Sequence, residues 1–224
     1  TMIFWSFGFL RMGTVGLISQ ALGKADYREI VYIIFRNIFI AIFISFLIII
    51  FKPLILHFLN QVFATSIQTK ILIDEYISIR VFSAPAELIA YVLIGFYLAI
   101  QKTFISSLLI TISSLLNIFL SIYFVKELNL NVSGVALGTL IAFYITIIIF
   151  SIYTYFFIIK KFKIIPRFNN RNIFNYKKIL KLLNINFDIF IRTILLTFSF
   201  FWVSYLGSTL GEEYVAVNSI LIQF

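Results

Sequence analysis

Glu87 is the one acid that lies well inside an apolar stretch of this chain, two residues after Pro85, whose missing N–H frees a carbonyl one turn back. An acid so placed must lose its charge or find a partner, and the first option is the chemistry of a proton carrier. Pairing with Arg80, two turns away, is the simpler reading. Asn117 and Ser121 stand four residues apart, which puts them on one face of a helix. Small polar side chains in that position bond a neighbouring helix or their own backbone. Four arginines complete the set, and a central arginine in a membrane helix costs about 3 kcal/mol unless it snorkels, pairs or meets water. Arg36 and Arg80 lie near span ends and are expected to snorkel, and Arg192 is close to a boundary as well. Arg11 falls mid-span beside Gly8, Gly13 and Gly16, and reads as a structural anchor or a gate residue.

Other chemistries lack their residues. The chain has no cysteine, so disulfides and thiolate metal sites are excluded, and its nine acids show no metal-ligand spacing. His57 is the single histidine, set at the end of a span with no acid beside it, so a Ser, His, Asp arrangement has no support. We therefore expect no catalytic residues, no metal and no cofactor.

The elements that must position these side chains follow from composition. Thr103 to Val125 and Asn131 to Ile159 carry no formal charge, and each is long enough to cross a hydrocarbon core as a helix, which needs about 20 apolar residues. Residues that are 62% hydrophobic and 12% charged fit lipid solvation, since soluble domains average about 25% charged. The fold class expected is all-α, a polytopic transmembrane bundle. Spans are drawn at Thr1 to Leu22, Ile30 to Phe51, Tyr76 to Ile100, Phe104 to Val125, Val132 to Ile159 and Phe187 to Leu206, with the start of a seventh near Val215. Pro53 is expected to end the second span, and Thr65 to Glu75 to begin a surface helix leading into the third. Glycine pairs at Gly95 with Ala99 and at Gly134 with Gly138 suit close helix packing.

The net charge of +9 has a topological explanation, because eight basic residues fall between Lys160 and Lys181. Loops rich in Lys and Arg stay cytoplasmic, which makes nucleic acid an unneeded partner. Alternation then places Lys24, Arg28 and Lys102 inside and Lys52, Lys70 and Lys126 outside. The second half of the basic segment, Ile173 to Leu183, reads as an amphipathic helix on the inner leaflet. Expected organisation is an N-terminal lobe at 1–159, a cytoplasmic linker at 160–183 and the start of a second lobe at 184–224. Both termini read as interior to a longer protein.

Three segments resemble one family: Phe7 to Thr14 continuing to Gln20 to Gly23; Arg80 with Pro85 and Leu98 to Thr103; and Asn117 with Gly134 to Thr139 and Tyr144. They resemble multidrug and toxic compound extrusion (MATE) transporters, in the DinF-like branch, and Arg192, Thr193 with Ala216 to Asn218 extend the likeness. The resemblance implies twelve helices in two pseudosymmetric six-helix lobes, of which this chain holds helices two to seven and the beginning of eight. It implies efflux of organic, often cationic, solutes in exchange for H⁺ or Na⁺ by a monomer in the inner (plasma) membrane. It also assigns Asn117 and Thr139 to a cation-coupling site, and puts Ser121 where relatives carry an acid. A serine can coordinate a cation but cannot supply charge, so coupling would rest on an acid of the first helix. A flippase for lipid-linked saccharides, with a strongly cationic cavity, is the alternative within the same architecture. A membrane enzyme or non-transporting scaffold is a third reading, without clustered catalytic side chains to support it.

Overall fold

The computed structural model describes residues 6–63, 67–165, 173 and 175–210. After a 3-10 turn at Ser6–Gly8 come α1 (Phe9–Gly23), α2 (Tyr27–Ile50), α3 (Lys52–Phe63), α4 (Ile67–Arg80), a second 3-10 turn (Val81–Ser83), α5 (Ala84–Ala99), α6 (Thr103–Lys126), α7 (Asn131–Phe162) and α8 (Tyr176–Leu210). No strand occurs among the described residues. Among the described residues four stretches are long and apolar enough to cross a membrane: Tyr27–Ile50, Lys70–Ala99, Thr103–Lys126 and Asn131–Phe162. The expected seventh span near Val215 lies outside the described residues, as do Thr1 to Trp5 and the motif residues Ala216 to Asn218.

The α5 helix is the centre of the bundle. Leu88 and Val92 pack with Leu10 of α1 and Ala41 of α2, while Ala90, Leu93 and Ile94 pack with Leu109 of α6 and Phe150 of α7. Phe96 and Tyr97 enter a third cluster with Ile18, Ile30, Ile158 and Leu182. Across the Lys70–Ala99 stretch 72% of the apolar window is buried, against 11% for α6, so α5 is an interior helix and α6 a peripheral one. Lipid is as apolar as these side chains, so close packing and interhelical hydrogen bonds supply the cohesion. A Cβ on Gly95 would lie 2.7 Å from the Arg11 carbonyl oxygen, and one on Gly138 would lie 2.7 Å from the Ser121 nitrogen. The glycine pairs thus bring backbones together, as their spacing suggests.

Three sequence expectations are corrected. The third span is two helices, not one, because Pro85 sits at the start of α5 and cannot donate to the preceding turn. The chain tightens there into the Val81–Ser83 turn, and Ser83 Oγ donates to the Arg80 carbonyl at 2.7 Å. Pro53 does not simply stop a helix: the bend falls at Phe51, and Pro53 occupies the first turn of α3, where a missing donor costs nothing. Asn60 Nδ2 then donates to Asp74 Oδ1 at 2.8 Å, tying α3 to α4. Finally, Ile173 to Leu183 is not a separate helix lying on a leaflet. From Tyr176 the chain continues unbroken through Phe187 to Leu210, with neither Gly nor Pro before Gly207. Its Leu182 is buried beside Ile18 and Ile30, so the segment packs on α1 and α2.

Candidate functional site

The α6 and α7 helices run antiparallel because the connection between them is short. Asn129 and Asn131 take positive φ, 52° and 43°, a conformation asparagine tolerates better than most residues. That turn sets the register of the seam between the two helices. Asn117 Nδ2 donates to Thr139 Oγ1 at 2.6 Å, and the threonine hydroxyl donates in turn to the Val135 carbonyl at 2.9 Å. Thr139 is buried, at 9% exposure, whereas Asn117 is half-buried. Among the described residues nothing donates to Asn117 Oδ1, so the pair keeps a free carbonyl acceptor. Ser121, one turn along α6, presses against Gly138 of α7, and its buried Oγ has no hydrogen-bond partner. All three candidates drawn from the sequence therefore meet on one seam. The site offers neutral oxygens and no formal charge. Among the described residues no group of three His, Cys, Asp or Glu could hold a metal ion.

Glu87 lies elsewhere. Its carboxylate pairs with the Arg80 guanidinium, and both side chains are buried, at 5% and 6% exposure. Ser83 Oγ accepts from Arg80 and lies 3.4 Å from the Glu87 carboxylate, so the pair clamps the 3-10 turn from both sides. Arg80 also lies 6.0 Å from the centre of the Phe143 ring. The snorkelling expected of Arg80 and Arg36 is thus overturned. Arg36 is 3% exposed; its Nε donates to the Ile173 carbonyl at 2.9 Å and its NH1 to Glu29 Oε1 at 2.8 Å. Internal acceptors replace headgroup water for both residues. Arg11 is half-exposed and Arg192 exposed, and among the described residues no hydrogen bond or ion pair reaches either guanidinium. The structure does not bring Arg11, Glu87 or Arg192 to the Asn117 seam.

Sequence reasoning missed several buried polar groups. Tyr97 OH donates to Thr154 Oγ1 at 2.7 Å, the threonine hydroxyl itself donating to the Phe150 carbonyl. Asn37 is fully buried and Asn186 is 3% exposed; Asn186 faces Gly13 across the α1–α8 contact with neither side-chain atom hydrogen-bonded. A polar residue in an apolar window was the available signal, but only the fold shows which helix each one meets.

A bundle of long apolar helices with buried polar side chains on its helix seams defines the class, a polytopic membrane protein. The MatE family model matches residues 1–123, and the chain belongs to that family. It is 29% identical over 219 residues to DNA damage-inducible protein F of Escherichia coli K12, an alignment covering 96% of this chain and 46% of that protein. Among solved structures it is similar to a MOP superfamily transporter from Pyrococcus furiosus, with a TM-score of 0.81, 20% identity, and coverage of 97% of this chain and 48% of the other. A Vibrio cholerae MATE transporter in its bent form gives a TM-score of 0.77 at 20% identity, covering 98% of this chain and 49% of the other. The chain thus spans about half the length of the relatives it matches.

Proposed function

We propose that this chain is part of a secondary active exporter of organic solutes, an antiporter and not an enzyme. Solute leaves through an alternating-access cavity while H⁺ or Na⁺ enters, and the Asn117, Ser121 and Thr139 seam supplies oxygens to the coupling cation. The observation that carries this reading is the 2.6 Å bond between Asn117 and Thr139, set in two helices without a formal charge between Thr103 and Val125 or Asn131 and Ile159. A pair with unused acceptor capacity, beside a partnerless serine hydroxyl, can release its internal bond in favour of a cation. Because the seam holds no carboxylate, the balancing negative charge would come from a helix beyond these. The basic segment from Lys160 to Lys181 supports a cytoplasmic placement in the inner membrane.

The flippase reading needs free cationic charge for a diphosphate. Arg36 and Arg80 are committed to Glu29 and Glu87, and the α6–α7 seam carries no cationic side chain, which favours the exporter for that seam. Fold alone does not fix the substrate; the Pyrococcus furiosus relative is itself described as having a binding pocket of reverse polarity that suggests a different function. The test is solute efflux by the full-length protein. Asn117→Ala and Thr139→Ala should each cut efflux at least tenfold with normal membrane insertion, and unchanged efflux in both would remove the seam from the mechanism.

A further inference from the structure

At the basic end of the bundle the turn between α1 and α2 and the first turns of α8 enclose a cavity of about 260 Å³. Its walls are unlike the Asn117 seam. Leu17, Ile33 and Leu182 form an apolar side, and Lys24, Lys178 and Lys181 form a cationic one. Four cationic side chains, counting Arg36, line it against the two carboxylates of Asp26 and Glu29, a net charge of +2. The two carboxylates are partly committed, and they satisfy only one of the three lysines. Asp26 Oδ1 caps α2 by accepting from the Glu29 N–H at 3.0 Å. Glu29 accepts from Arg36 on one oxygen and from Lys178 on the other, at 2.8 and 2.6 Å. Among the described residues, Lys24 and Lys181 make no ion pair. Their charges therefore line the cavity without a direct ion-pair partner, leaving its walls net cationic.

We propose that this cavity binds a phosphate ester, with Lys24 and Lys181 as its principal donors and Lys178 shared with Glu29. Small-molecule pockets for drug-sized ligands span about 300–1,000 Å³, so a headgroup fits here better than a whole organic solute. The apolar side suits the glycerol and first methylenes of an anionic phospholipid. Basic pockets between membrane helices at the cytoplasmic side are where such headgroups lodge. A free phosphate ester presents the same recognised group, and the experiment separates the two sources. The site is independent of solute exchange, since none of its residues reaches the α6–α7 seam.

Unfolding of purified full-length protein in neutral detergent, followed by tryptophan fluorescence, is titrated with dihexanoyl phosphatidylglycerol, dihexanoyl phosphatidylcholine and inorganic phosphate. Phosphatidylglycerol should raise the unfolding temperature more than phosphatidylcholine does. A matching response to inorganic phosphate supports the site and identifies the free ion as a sufficient ligand; its absence supports the site and identifies lipid. Lys24→Gln and Lys181→Gln, both exposed side chains outside the core, should each weaken binding about fivefold. Lys24→Arg should retain it, and Lys126→Gln, at the opposite end of the bundle, should change nothing. No response to any ligand overturns the proposal, as does equal loss in Lys126→Gln and the two cavity variants.

Discussion

Arg80 and Glu87 are costly residues individually and tolerable only as a pair. Each is buried in an apolar stretch inside the bundle, and removing one partner leaves an uncompensated charge, worth about 3–5 kcal/mol. Glu87→Gln should therefore lower the unfolding free energy by about 3 kcal/mol and reduce expression, while a Glu87→Gln, Arg80→Met double variant recovers much of it. Thermal unfolding of the three proteins checks this, and loss of pH-driven transport with normal expression in Glu87→Gln alone would assign the acid a proton-carrying role instead. The pairing could be anticipated because two turns along a helix restore the same face. The arrangement at Arg36 could be anticipated only in part. Glu29 lies seven residues away, again two turns, but the Ile173 carbonyl is 137 positions distant, and no local pattern connects them. Asn117 and Ser121 announced a shared face through their spacing, whereas the bond to Thr139 depends on how far α7 slides along α6, which the turn at Asn129 and Asn131 decides.

At the scale of elements, the runs α6 and α7 were the easiest to read, since neither a formal charge nor a proline interrupts Thr103 to Val125 or Asn131 to Ile159. The division of α4 from α5 was hidden because hydrophobic side chains continue across it and only Pro85 marks it. The unity of α8 was hidden for the opposite reason: a change from basic to apolar composition suggested a boundary where the backbone has none. Glycine contacts give the sharpest element-scale test. A Cβ at Gly138 would meet backbone atoms of Ser121, whereas one at Gly16 would have nothing within 4 Å. Gly138→Val should separate α6 from α7 and destabilise the protein by about 1–3 kcal/mol, the range for overpacking, while Gly16→Ala should be silent. The midpoint of thermal unfolding distinguishes them. A silent Gly138→Val would mean that the seam is looser than described.

For the whole molecule, orientation is the property that the charge distribution argues and that a single labelling experiment decides. The chain lacks cysteine, so one introduced thiol reports one position. Lys126 and Lys177 are both exposed and lie at opposite ends of the bundle by the alternation of spans. In intact cells, a membrane-impermeant maleimide should label Lys126→Cys of the full-length protein and leave Lys177→Cys unlabelled until the cells are opened. The reverse pattern would invert the topology. The all-α membrane class was readable at this scale because lipid forces backbone groups to bond internally, whereas the number and bounds of the helices were not. Which helix occupies the centre was not, since α5 and α6 are comparably apolar and differ only in what surrounds them.

The unbroken α8 has a mechanical consequence. At 1.5 Å per residue its 35 residues make a rod of about 52 Å, well beyond the roughly 30 Å of hydrocarbon it could cross. Lys178 fastens the near tip to Glu29, so that tip acts as a fulcrum. Rocking the rod by about 10° there sweeps its far tip through about 9 Å. By geometry alone, a small change of tilt at the basic rim would be magnified at the far tip of so long a rod.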